Sequence, residues 1–107
     1  MIALDFDIPN YEELQIMVSE INKEDVYRKI CKNVKKFRLE KYCEFKKNSY
    51  SNVINPYTTE NVSSLLDYNH NYYKRFESEN DETKVIPLIK LIKLSVILDK
   101  DISDFLK

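Results

Sequence analysis

The 107 residues carry 17 Lys and Arg against 18 Asp and Glu, for a formal net charge of −1, with 43% hydrophobic residues and no glycine. A chain of this size makes one domain that buries roughly two thirds of its unfolded surface, which excludes a multidomain enzyme. No apolar run approaches the ~20 residues that span a bilayer.

The inventory also argues against catalysis. Without glycine there is no phosphate-cradling loop, and one histidine with no CxxC spacing provides neither a zinc site nor a Ser-His-acid constellation. The expectation is a protein that is not an enzyme and needs no metal or cofactor.

In chain order, residues 1–8 alternate: Ile2, Leu4, Phe6 and Ile8 fall on one face and Asp5 and Asp7 on the other, the period of a half-buried strand. A lone strand needs a partner, and three are open: residues 50–54, the same strand of a second copy, or another protein. The other reading is an extended arm laid on a helix. Pro9 and Asn10 break the pattern, and Asn10 with Glu13 has capping-box spacing for a helix over 11–21. Its stripe of Leu14, Met17, Val18 and Ile21 is expected in the core. Residues 1–29 thus form an N-terminal extension, a strand-like arm and a helix, before a main domain over 30–107.

A second helix is predicted over 23–42, with Val26, Tyr27, Ile30, Val34, Phe37 and either Leu39 or Cys31 facing inward. Charge is segregated along this half: residues 1–25 hold seven acids and one lysine, whereas 26–47 hold nine basic residues and two acids. The basic block is either a solvated helix face or a ridge that contacts phosphates. Cys31 and Cys43 on one helix would lie about 18 Å apart, too far for a disulfide. Two thiols, and no basic start followed by an apolar signal core, lead to a cytoplasmic expectation.

Thr58 to Glu77 has the pattern of two short helices around a tight turn. Val62, Leu66, Tyr68, Tyr73 and Phe76 are apolar where such helices bury side chains against each other, and Ser63 is small where they approach most closely. Thr58 and Asn69 can cap the two N-termini, and residues 67–69 supply a polar turn.

Farther on, Pro87 is favourable at the first position of a helix, and Leu88, Leu91, Ile92, Ser95 and Leu98 form the face expected to pack inward. Ile89, Val96 and Ile97 lie off that face, as either a dimer seam or a wider buried face. Asp101 can cap a short closing helix with Ile102 and Phe105 inward.

The pattern over roughly 30–106 resembles the helix-turn-helix of the phage-repressor family, the Cro and cI (XRE-like) type. ICKNVKKFRLEK looks like that family's first helix and LIKLIKLSVILDKDISDFL like its last two. The resemblance implies an all-α, five-helix lambda-repressor-like domain, with residues 42–56 inserted between the first two family helices. It implies a structural pair between Arg38 and Glu77, and a recognition helix over 69–79. His70, Asn71, Tyr72, Lys74 and Arg75 of that helix would meet bases and phosphates in the major groove, where Asn suits adenine and Arg guanine. Thr58 and Thr59 would meet backbone phosphate. The chain departs from the family at two glycine positions, occupied by Asp67 and Glu79; Asp tolerates the left-handed turn conformation better than most side chains.

The functional expectation is a sequence-specific, repressor-like transcription regulator that binds operator DNA as a homodimer. The alternative is a protein-interaction module on the same fold (an antitoxin, inhibitor or accessory factor) docking through the acidic N-terminal arm and the insertion.

Overall fold

The computed structural model describes residues 8–49, 52–78 and 86–107. Its elements are α1 (Tyr11–Ser19), α2 (Lys23–Asn48), α3 (Thr59–Leu65), α4 (His70–Glu77), α5 (Leu88–Leu98) and a closing 3-10 helix (Ile102–Leu106). No strand occurs among the described residues, so the architecture is all-helical. The predicted strand at 1–8 lies outside them except for Ile8, which is exposed; of the in-chain pairing candidate, residues 50–54, the first two also lie outside them, and 52–54 are exposed, with 52 in a turn and 53 in a bend.

The longest element, α2, begins where the Asn22 side chain accepts the backbone N–H groups of Glu24 and Asp25, at 2.8 and 3.2 Å. Glu24 and Asp25 in its first turn and Lys46 and Lys47 in its last complement the helix dipole at both ends. The helix runs six residues past the predicted end at Tyr42, because Glu44, Lys46 and Lys47 favour helix and nothing in 43–48 breaks it. The 42–56 segment is therefore helical as far as Asn48. Beyond residues 50 and 51 it becomes a connector held by Asn55, which donates to the Tyr42 carbonyl (3.1 Å) and accepts from the Tyr57 N–H (2.9 Å). Asn61 in turn donates to the Asn55 carbonyl at 2.7 Å.

The core forms where α2 packs against α4, α5 and the closing helix, with α3 packed on α4. Tyr27, Ile30, Cys31 and Val34 of α2 are buried against Val62, Leu66, Tyr73, Phe76, Leu94 and Phe105. Each large side chain removed from water here contributes about 1.5–3 kcal/mol. Phe105 is wholly buried, and the Phe105 carbonyl accepts from the Asn33 amide at 2.8 Å, which ties the C-terminus back to α2. Of the two cysteines on α2, Cys31 is buried and Cys43 exposed, and neither is in a disulfide.

Several expected inward positions are corrected. Val26 and Leu39 are exposed, because the buried arc of α2 is centred on Tyr27, Cys31, Val34 and Arg38; between the two alternatives, Cys31 is the inward residue. In α5 the inward residues are Leu91, Leu94 and Leu98, while Leu88 and Ile92 are exposed. The face is rotated from the predicted one because Leu94, not Ser95, occupies its middle. Ile97, predicted off the inward face, is partly buried against the core. Pro87 precedes the first turn of α5 as its N-cap residue and does not form part of it.

The largest departure is α1. The Asn10 side chain caps it, accepting the Glu13 N–H at 2.8 Å, but the helix stops at Ser19, two residues before the predicted end. None of its residues is buried: Leu14, Met17, Val18 and Ile21 are 45–66% exposed, so the predicted core stripe faces solvent.

Candidate nucleic-acid interface

The corner between α3 and α4 is built locally. Thr58 caps α3, its hydroxyl oxygen accepting the Asn61 N–H at 3.1 Å, and Asn69 caps α4 by accepting from Asn71 and Tyr72 at 2.9 and 3.2 Å. Between them Asp67 takes φ of 54°, and the Tyr68 N–H reaches back to the Ser63 carbonyl at 2.9 Å, closing the end of α3 through a left-handed residue. Lys90 completes the closure: its ammonium donates to the Leu66 carbonyl (2.6 Å) and the Asp67 carbonyl (3.1 Å). A cation there meets the negative end of the α3 dipole. Sequence reasoning missed this role. Lys90 lies in the first turn of α5, where its own helix dipole disfavours a positive charge, and that placement was the available signal.

Beneath the corner, Arg38 and Glu77 form a two-bonded ion pair, Nε to Oε2 at 2.6 Å and a terminal guanidinium nitrogen to Oε1 at 2.9 Å. The other terminal nitrogen donates to the Tyr57 carbonyl at 3.0 Å, so one buried side chain joins α2, the connector and α4. Burial pulls the Arg38 pKa down, but the Glu77 hydrogen bond and charge more than offset this and the net shift is upward. Burial, followed by the Glu77 charge, pushes the Tyr73 hydroxyl far up, so Tyr73 stays neutral.

With Tyr73, Phe76 and Glu77 turned inward, the helical period turns Asn71, Lys74, Arg75 and Ser78 outward, and all four are exposed. Tyr72 is 44% exposed and edge-on to Tyr68 at 6.4 Å between ring centroids, and the Arg75 guanidinium lies 6.0 Å from the centre of its ring. His70 is half-buried, its Nε2 3.0 Å from the Thr59 hydroxyl oxygen, so these two residues engage each other across the corner. Glu79, at the second family glycine position, lies outside the described residues. Beside the C-terminal end of α4, Lys32, Lys35 and Lys36 of α2 line a groove together with Leu39, Glu40, Glu77 and Ser78. Exposed Asn, Lys and Arg side chains on one helix face are the amide, ammonium and guanidinium groups whose chemistry suits base edges and phosphate.

Of the remaining candidates, Ile89 and Val96 are exposed on α5. Among the described residues no cluster of His, Cys, Asp or Glu could hold a metal ion, and no helix is long and apolar enough to cross a membrane. Comparison with family models, with curated proteins and with solved structures returns no match.

Proposed function

We propose that this protein is a sequence-specific DNA-binding regulator of the repressor type, with α3 and α4 as a helix-turn-helix in a lambda-repressor-like arrangement. The observation that carries the reading is the outward face of α4: Asn71, Lys74 and Arg75 are exposed, while Arg38 and Glu77 lock the opposite face to α2. A helix so held can enter the major groove by its N-terminal end, with Asn71 addressing adenine, Arg75 guanine and Lys74 a base or phosphate. Thr58, Thr59, His70 and Tyr72 flank that end. In this reading the Thr58 and Thr59 hydroxyls turn to backbone phosphate and Lys32, Lys35 and Lys36 extend the positive surface. The regulator acts as a homodimer through the outward face of α5, which includes Ile89 and Val96, and occupies operator DNA in the cytoplasm.

Fluorescence anisotropy with random duplex, and with duplexes selected from a random pool, tests this. The expected result is salt-sensitive binding to both, tighter to the selected sites; no binding at low salt, where phosphate contacts are strongest, would remove the reading. A second reading, a protein-interaction module with little DNA binding, is favoured by one observation, the bare apolar stripe of α1.

A further inference from the structure

Two elements expose apolar faces, and their charges are opposite. On α1 and the residue two beyond it, Tyr11, Leu14, Met17, Val18 and Ile21 fall within roughly 120° of helical arc, and each is 45–74% exposed. Glu13 and Glu20 run along one edge, and residues 11–21 contain no basic side chain. On α5, Leu88, Ile89, Ile92 and Val96 fall within roughly 100° of arc, on the side away from Leu91, Leu94 and Leu98, and are 39–77% exposed. Lys93 follows one edge of that stripe, and α5 contains no acid.

We propose that the apolar face of α1 docks on the outward face of α5 of a second copy, reciprocally, so that two α1–α5 contacts hold a dimer. The inference deepens the dimeric part of the function proposed above by naming what covers α5, and it does not depend on DNA. Charge selects the pairing: α1 against α1 would align glutamates and α5 against α5 would align lysines, whereas α1 against α5 sets Glu13 and Glu20 toward Lys93. Area agrees. Covering both stripes at two contacts removes on the order of 1,500 Å² from water, within the range of specific interfaces. No residue of α1 is buried within its own chain, which leaves the stripe for a second copy.

The test is sedimentation equilibrium of the full chain at tens of micromolar, with circular dichroism to show that each variant folds. Wild type is expected to be a dimer, and the α1 double variant Leu14→Glu/Met17→Glu and the α5 double variant Ile92→Glu/Val96→Glu are each expected to be monomeric. Mixed in equal amounts, the two variants retain one intact α1–α5 contact per pair, so a mixed dimer should return, at least tenfold weaker than wild type. A monomeric wild type overturns the proposal, whether α1 folds onto its own chain or waits for a different protein. An α1 variant that stays dimeric indicates an α5–α5 seam, and an α5 variant that stays dimeric indicates an α1–α1 seam; either overturns it. The anisotropy titration of wild type is read separately, so loss of the dimer and loss of DNA binding remain distinct results.

Discussion

Arg38 has 7% exposure and Glu77 6%, and the guanidinium donates twice to the Glu77 carboxylate and once to the Tyr57 carbonyl. Removing one member of a buried pair strands the other's charge, which destabilises by about 3–5 kcal/mol, whereas replacing both with apolar residues of similar volume is far milder. Glu77→Leu is therefore expected to lower unfolding stability by about that amount, and Arg38→Met/Glu77→Leu together by much less than the sum of the single changes. Urea unfolding of the four proteins checks it; additive effects would show that the two side chains are not coupled. The pair could be placed only by family resemblance, since neither hydropathy nor period marks a charged residue as buried. The third bond, to Tyr57, was illegible, because a backbone carbonyl leaves no trace in residue type.

At the scale of elements, caps and turns were the most legible part of the chain. Asn10, Thr58 and Asn69, the caps expected from the sequence, each accept N–H groups of the helix they precede, since a short polar side chain ahead of a helical run has few other uses; Asn22 does the same for α2 without having been singled out. Among the described residues the left-handed positions fall on Asp67 and Asp99, both with φ of 54°, in a chain without glycine. Replacing Asp67 with Gly should relieve about 0.5–1 kcal/mol of backbone strain and raise the thermal midpoint; an unchanged or lower midpoint in a calorimetric scan would argue that the side chain itself stabilises the turn. In the closing helix, the Asp104 carboxylate accepts the Asp101 N–H at 3.1 Å and the Lys107 ammonium at 3.2 Å, and the first of these chiefly holds its pKa below the ordinary 3.8. A lowered folded-state pKa contributes stability that is present above pH 3.8 and lost as pH falls through the lowered value. Asp104→Asn should therefore flatten this part of the acid limb of a stability profile; an identical limb in wild type and variant would count against it. Faces were harder to read than caps. In α5 eight of the eleven positions are apolar, spread round the helix, so periodicity could not decide which side meets the core, and Leu94 went unrecognised.

The whole molecule divides its charge along the sequence, acidic through residue 25 and basic from 26 to 47, which a net charge of −1 conceals. If the basic half lies along DNA, Lys36→Ala should weaken binding to all duplexes about equally and reduce the slope of log affinity against log salt by about one. A change confined to one sequence, or none, would place Lys36 away from the phosphates. The exposed stripe of α1 shows the limit of amphipathic reasoning: Leu14, Met17, Val18 and Ile21 specify that a face must be covered without saying by what. Finally, the unequal burial of Cys31 and Cys43 on one helix makes the wild-type chain its own reporter. A maleimide added to the native protein should label one sulfur and added in denaturant two, so mass spectrometry can follow opening of the α2 core without an engineered probe, and a dye on Cys43 gives a single defined position for distance measurements.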